Sequence, residues 1–181
     1  MTSLMEKIQM VRFNLRMRIV ITVIFLVIAL GVTILGVVSL RIDASEAQKF
    51  RDDIMGEFSR LNDPRFIFGN NLIHALVMFV PAVGPIWGSY VLFSTGNIIA
   101  VISIAEGVPP VLTFFLLFLT PVFWLEFGVY SLAMAQSVIL TLQMLRNRGK
   151  NEVVRTCMLV TICALILLLA AMIEWIMINM I

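Results

Sequence analysis

The chain has 181 residues, of which 61% are hydrophobic and only 13% are charged. Its mean hydropathy of +1.03 lies far outside the range of soluble globular domains. The formal net charge of +2 is too small to suggest a nucleic-acid partner, and the basic residues stand at the ends of apolar segments. We therefore predict an all-α polytopic membrane protein whose first partner is the lipid bilayer, with no nucleic-acid partner.

Residues 1–18 form a basic segment before the first apolar run. Four basic residues stand there against one acidic residue, and this excess predicts a cytoplasmic N-terminus. The segment is either a short basic helix on the membrane surface or a flexible flank that only sets orientation. The apolar run at 19–40 has about 22 residues and exceeds the ~7–15 of a cleavable signal peptide. We predict a retained transmembrane anchor.

Residues 41–65 make up the longest polar stretch, with five basic and six acidic residues. Asp43 followed by Glu46 is typical of a helix start, and Asn62-Asp63-Pro64 is typical of a helix end. We predict an external amphipathic helix that lies along the membrane or packs on a partner, with a solvated connector as the alternative. Apolar residues recur between these signals at helical spacing, at Phe50, Ile54, Phe58 and Leu61.

Residues 66–145 are predicted to form a membrane core of broken helices. Two apolar runs, 66–80 and 86–105, are separated by a stretch rich in proline and glycine. This stretch is either a tight turn at the cytoplasmic surface or a break within the bilayer, where protein or water must cover irregular backbone. We expect helix breaks at Pro81, Gly84 and Pro85.

The next apolar run, from Val111 to Leu145, carries a single charge, Glu126. As one helix its 35 residues would measure about 52 Å, well beyond a ~30 Å hydrocarbon core. Pro121 explains the extra length, because proline removes a backbone donor and breaks or kinks a helix. We predict a half-helix at 111–120, re-entrant or sharply kinked, and a fuller helix starting near Val122.

The loop at 146–155 holds four basic residues and one acid, which predicts a cytoplasmic location. A last transmembrane segment, 156–181, follows it. The chain then crosses the membrane five times, with the N-terminus cytoplasmic and the C-terminus external. Each of the two cytoplasmic segments carries four basic residues, against five in 41–65.

Polar side chains recur inside this predicted core, where a carboxylate at the hydrocarbon centre would cost roughly 2.5–3.5 kcal/mol to insert. We expect a central cluster in which other polar groups hydrogen-bond to that acid. Its expected members are Glu126, Tyr130 and Ser137 on one helix face, Asn70, Asn71 and His74 on a second segment, and Asn97 on a third. The cluster is either a proton, ion or substrate pathway, or a polar latch that joins broken helices.

Motifs for catalysis are absent from the sequence: it contains no HExxH, no GxSxG and no phosphate-binding glycine loop followed by lysine. Cys157 and Cys163 are six residues apart, on different faces of a helix, which argues against a disulfide. A single histidine is a poor basis for a zinc or copper site. We expect no enzymatic activity, no metal and no cofactor.

Several of these residues, taken in order, resemble the integral membrane core of the stage II sporulation protein M family across roughly 66–145. The resemblance implies an all-helical prokaryotic membrane protein. In spore formers the namesake is a membrane scaffold that recruits cell-wall-degrading partners during engulfment. The resemblance rests on Asn70-Asn71, the pair Gly84 and Gly88, Thr95-Gly96, Pro121-x-x-x-Leu125-Glu126, Tyr130 and Ala133.

Residues and resemblance together predict an integral membrane scaffold or accessory subunit of a larger membrane assembly. Its partners are expected to be other membrane proteins or further copies of the same chain. The alternative is a small oligomeric transporter or channel in which Glu126 is the proton- or ion-coupled group.

Overall fold

Helices make up all the regular secondary structure in the part of the chain that the computed structural model describes, residues 2–58, 63–146 and 149–180. Side chains are described for residues 15–53, 63–146 and 152–180. The predicted all-α class is confirmed for these residues. In chain order the helices are α1 (Thr2–Ser39), α2 (Ala44–Phe58), α3 (Pro64–Met78), α4 (Gly84–Ala105), α5 (Pro110–Phe118), α6 (Pro121–Leu145) and α7 (Gly149–Met180).

Four of these helices are long and apolar enough to cross a membrane, over Leu15–Ser39, Gly84–Ala105, Pro121–Leu145 and Glu152–Met180. The fold is thus that of an all-helical membrane protein with four such helices among the described residues. The run predicted to cross at 66–80 lies mostly in α3. That helix has 15 residues, and at ~1.5 Å per residue it is shorter than a ~30 Å hydrocarbon core.

Two predicted segment boundaries do not coincide with helix ends. Helix α1 runs for 38 residues from Thr2 through both the basic segment and the apolar anchor. Helix α7 begins at Gly149, so most of the predicted 146–155 loop is helical. The boundaries at 18 and 155 are therefore changes in side-chain composition only. Residues 147 and 148, and the side chains of Lys7 and Arg12, lie outside the described part.

Helix α6 is the central helix, in contact with α1, α3, α4, α5 and α7. Most of its side chains from Val122 to Leu140 are buried. Near its start, the Phe123 and Phe127 rings stack with centroids 4.0 Å apart, and Phe114 of α5 meets Phe123 edge to face at 5.8 Å. These aromatic contacts hold the short helix α5 against α6.

Helix α3 runs parallel to α6. Asn71 donates a hydrogen bond to Glu126, and nine residues later the Val80 carbonyl accepts one from Ser137, eleven residues further along α6. The two contacts follow the same order along both helices, so α3 and α6 point in the same direction.

Helix α4 runs antiparallel to α6. A Cβ added to Gly84 would lie 2.6 Å from the Ser137 Cβ, and one added to Gly88 would lie 2.8 Å from the Met134 Cγ. The pair Gly84 and Gly88 therefore provides close packing of α4 on α6 within one chain. Helices α3 and α4 form a hairpin whose turn, residues 79–83, lies beside the last turns of α6.

Helices α1 and α4 cross at a second pair of glycines. A Cβ on Gly36 would lie 3.1 Å from the Gly96 Cα and would overlap the Phe93 carbonyl oxygen, while a Cβ on Gly96 would overlap the Thr33 carbonyl oxygen. Small residues let the two backbones approach this closely, which is how packing between membrane helices gains van der Waals contact.

Helix α2 begins as the sequence predicts. The Asp43 carboxylate accepts hydrogen bonds from the Glu46 N–H at 2.9 Å and the Ser45 hydroxyl at 2.8 Å. These donors, led by the backbone N–H, hold the pKa of Asp43 below its ordinary value. Ala47 is fully buried where α2 packs on α4, whereas Phe50 is 54% exposed. Of the other predicted apolar positions, the side chains of Ile54 and Phe58 and the whole of Leu61 lie outside the described part.

Prolines lie in the first turns of α3, α4, α5 and α6. The first N–H groups of a helix have no partner within it, so the missing proline donor costs nothing there. Helix α5 ends at Phe118, and Pro121 is the first residue of α6. The Thr120 hydroxyl oxygen accepts the Phe123 N–H at 3.4 Å and caps the new helix.

Candidate functional site

The predicted polar cluster is assembled in part, around Glu126. The Asn71 amide donates a hydrogen bond to a Glu126 carboxylate oxygen and thereby joins α3 to α6. Tyr130, one turn later on α6, is buried. Glu174 of α7 lies close enough to interact electrostatically with both Glu126 and Tyr130. The acid at the centre of the cluster thus joins α6 to α3 by a hydrogen bond and lies near α7.

Three other predicted members form no hydrogen bond with Glu126. Asn70 is exposed beside Asn71. The His74 ring lies against Trp87 with the ring centroids 5.9 Å apart. His74 Nδ1, Trp87 Nε1 and Asn97 Oδ1 are buried, and each lacks a hydrogen-bond partner within the described residues.

Ser137 bonds to a backbone group outside the predicted cluster. Its hydroxyl donates to the Val80 carbonyl at 2.6 Å. One turn later, the Thr141 hydroxyl accepts the Ala82 N–H at 2.8 Å and donates to the Ser137 carbonyl at 2.8 Å. Two hydroxyls of α6 therefore satisfy backbone groups of the 79–83 turn, which contains Pro81 and precedes Gly84 and Pro85. These bonds pair polar groups of the irregular backbone that have no partner within a helix.

The 79–83 turn also holds a backbone conformation that needs support. Ala82 has a φ of +63°, in the left-handed region that residues with a side chain rarely adopt. Such a conformation costs of order 1–3 kcal/mol and persists only where the surrounding structure imposes it. The bond from Ala82 to Thr141 and the contact of Gly84 with Ser137 supply that constraint.

A second polar group, the Arg18 network, joins α1, α6 and α7 and consists of Arg18, Gln136, Glu152 and Thr156. Arg18 donates to both Glu152 carboxylate oxygens at 2.8 and 2.7 Å, and to the Gln136 side-chain oxygen at 3.0 Å. The Gln136 amide in turn donates to Glu152 at 2.7 Å and to Thr156 at 2.9 Å. Gln136 is 1% exposed and Glu152 is 5% exposed, whereas the Arg18 side chain is 18% exposed. This is therefore a largely buried ion pair in which both carboxylate oxygens accept hydrogen bonds.

Sequence reasoning missed the Arg18 network because each member has a local explanation. Arg18 is explained as an orientation signal at the edge of the first anchor, and Glu152 as the one acid of a basic loop. Gln136 is the one signal that remains, since an amide in a largely apolar helix needs a partner when it is buried. Nothing in the sequence indicates which distant residues provide that partner.

The described residues contain no group of three or more His, Cys, Asp and Glu side chains that is arranged to hold a metal ion. Cys157 is exposed and Cys163 is buried, and both are free thiols. No family model, curated protein or solved structure matches the chain. The geometry of the site is that of hydrogen bonds between helices.

We expect Arg18→Gln to lower the stability of the protein strongly, because it leaves the Glu152 carboxylate buried without its counter-charge. Removing one partner of a buried ion pair costs about 3–5 kcal/mol, a fall of about 6–20 °C in melting temperature for a chain of this size. The measurement is thermal unfolding of the purified protein in a mild detergent. Arg16→Gln, at an exposed position two residues earlier, is the matched control and should change little.

The double variant Arg18→Gln with Glu152→Gln should recover much of this loss, because neither charge is then left unpaired. Additive effects of the two substitutions, or an equal loss in the Arg16→Gln control, would contradict the assigned role of the Arg18 network.

We expect Ser137→Ala to loosen the 79–83 turn, because it removes the hydrogen bond to Val80. The loss of one such bond costs about 1 kcal/mol. Hydrogen exchange should become faster in a peptide that covers the turn. Ser131→Ala is the matched control, because Ser131 is equally buried on α6 but bonds only to Phe127 of its own helix. Equal exchange rates in the two variants would show that Ser137 does not hold the turn.

Proposed function

We propose that the protein is an integral membrane scaffold or accessory subunit of a larger membrane assembly, the role that its resemblance to the stage II sporulation protein M family implies. The observation that carries this proposal is that polar side chains of α6 form hydrogen bonds to neighbouring helices and to the 79–83 turn. Ser137 and Thr141 bond to the 79–83 turn, Gln136 joins α1 to α7, and Glu126 joins α3. These groups are used to join helices, as the polar-latch interpretation requires.

The outer faces of α1 and α7 support the same proposal. Both carry large apolar side chains that are half exposed or more, such as Val27 and Leu35 on α1 and Met158 and Leu165 on α7. In a bilayer these faces contact lipid or the apolar helices of another membrane protein. A scaffold or accessory subunit needs such lateral faces, and it needs no polar route through its own core.

A small oligomeric transporter or channel is the competing function. The observation that favours it is that Glu126 and Glu174 lie close enough to interact electrostatically with each other and with Tyr130, because carboxylates inside a membrane often mark ion or proton pathways. The unpartnered atoms of His74 and Asn97 lie in the same two helices that form the hairpin. A transporter would use these groups in turn, and its activity would depend on a titratable side chain at position 126.

Two substitutions separate these functions. Asn71→Leu removes the donor to Glu126 and keeps the acid, and under the scaffold proposal it should cost about 1–3 kcal/mol of stability, because a half-buried acceptor loses its partner. Asn70→Leu, at the exposed neighbouring position, is its control. Glu126→Gln removes the titratable group and keeps an acceptor for Asn71. We expect proteoliposomes that contain either the wild-type protein or Glu126→Gln to show only the ion and proton leak of empty liposomes.

Flux through the wild-type protein that Glu126→Gln abolishes, with the melting temperature unchanged, would overturn the scaffold proposal and favour the transporter. Size-exclusion chromatography of protein extracted from native membranes provides the direct test of assembly. A scaffold subunit should elute in a complex larger than one chain, and Asn71→Leu should reduce the amount of that complex.

For the topology we propose five crossings, with α3 as the fifth, the N-terminus cytoplasmic and the C-terminus external. The parallel run of α3 and α6 supports this, because it makes α3 pass from one end of the bundle toward the other before α4 returns. The 79–83 turn contacts Ser137 of α6. The Arg18 network includes Gln136, the residue before it, so the turn and the network lie at the same level of α6. A charged pair at that level favours a position near the membrane surface for the turn.

Single cysteines test this topology in a background with both native cysteines replaced by Ala. We expect Gln48→Cys to react with a membrane-impermeant maleimide on intact cells, and Lys150→Cys to react only after the cells are opened. Labelling from the opposite sides would invert the proposed orientation.

A further inference from the structure

A cavity of about 490 Å³ lies between α1, α6 and α7, beside the Arg18 network. This volume is in the range of sites that bind small molecules, about 300–1,000 Å³. Most of its wall is apolar, and Leu15, Ile19 and Val23 on the α1 side are each more than half exposed. The cavity is therefore reached from the lateral surface of the bundle. The apolar wall on the other helices is formed by Leu132, Ala135, Ile139 and Leu159.

One end of this cavity carries an excess of positive charge. Two arginines line it, Arg18 and Arg155, and the acid that both of them contact is Glu152. Arg18 pairs with Glu152 through two short bonds, whereas Arg155 lies 3.6 Å from it with a side chain that is 55% exposed. One positive charge therefore remains after the ion pair is formed. Arg155 has the donors to bind an anion, since a guanidinium offers five N–H groups in a fork that suits phosphate.

The combination of a cationic end and a long apolar wall selects an amphipathic ligand. A zwitterionic lipid would bring its own cation next to the arginines, and a soluble phosphate would leave the apolar wall unoccupied. Basic pockets between membrane helices are a known way in which proteins bind anionic lipid headgroups. We propose that this cavity binds one anionic phospholipid, with its phosphate at Arg155 and an acyl chain along the wall formed by α1, α6 and α7.

This site depends on the location of the chain in a membrane and does not depend on the scaffold role. The site binds lipid between α1, α6 and α7, the three helices that the Arg18 network joins. Binding of such a lipid stabilises the folded bundle, because a ligand that binds only the folded state shifts the equilibrium toward it.

The test uses the full chain, delipidated in dodecyl maltoside and titrated with phosphatidylglycerol or with phosphatidylcholine of the same acyl chains. Native mass spectrometry measures the bound lipid, and the melting temperature measures its effect. We expect phosphatidylglycerol to bind more tightly and to raise the melting temperature further. Arg155→Gln should weaken phosphatidylglycerol binding about fivefold. Arg146→Gln, at an exposed arginine that does not line the cavity, is the matched control and should leave binding unchanged.

A second pair of variants tests the apolar wall. Val23→Phe places a larger side chain in the acyl path and should weaken binding, while Val20→Phe, at an exposed position of α1 outside the cavity, should not. Four results would each overturn the proposal. The first two are equal binding of the two lipids and an equal loss of binding in Arg155→Gln and Arg146→Gln. The other two are binding of glycerol phosphate as tight as that of the whole lipid, and a Val23→Phe variant that changes only the oligomeric state. The last of these would assign the cavity to contact with a second copy.

Discussion

The buried ion pair between Arg18 and Glu152 sets the arrangement of the helices around it. Helix α1 is apolar on most of its surface, and apolar helices in lipid gain little from one register over another, because lipid tails are as apolar as their side chains. Arg18 and Glu152 must pair with each other and with Gln136. This requirement selects one register of α1 and α7 on α6. The side chains of Arg18 and Glu152 are 18% and 7% exposed, so a slip of either helix would leave a charge unpaired at high cost.

Consecutive residues of α6 carry this constraint to the other half of the bundle. Gln136 faces α1 and α7, whereas Ser137, about 100° further around the helix, faces the hairpin of α3 and α4. One turn of α6 therefore fixes both neighbouring pairs of helices. The glycines that allow α4 to approach lie at the same level, since Gly84 meets Ser137. Hydrogen bonds between helices and close packing at small residues together hold the helices against each other, which burial of apolar surface does in the core of a soluble protein.

The sequence predicted the membrane class, the helix start at Asp43 and a hydrogen bond to Glu126 from another polar side chain of the core, because these depend on composition, capping and helical period. It did not single out Asn71 as the donor. It did not predict the partner of Ser137. Helical spacing places Ser137 on the face of Glu126, but eleven residues further along α6 it is about 16 Å away. A periodic pattern shows which face of a helix a residue lies on, but it does not show which residues of other helices lie at the same level along the helix axis. The Arg18 network was also out of reach, because Arg18 lies more than a hundred residues before Gln136 and Glu152 in the chain and no local pattern pairs them.

The depth of the two polar groups also bears on function. Glu126 and Gln136 are ten residues apart on α6, about 15 Å along the helix axis. The buried side chains between them include Tyr130 and Ser131, and Phe127, Val129, Ala133 and Met134 are all below 5% exposed. The Ser131 hydroxyl donates to the Phe127 carbonyl of its own helix. Among the described residues, no chain of hydrogen bonds therefore joins the Glu126 cluster to the Arg18 network along α6. The proposed scaffold role needs no such connection, whereas the competing transporter would need a rearrangement of α6 or polar groups from a second copy to supply it.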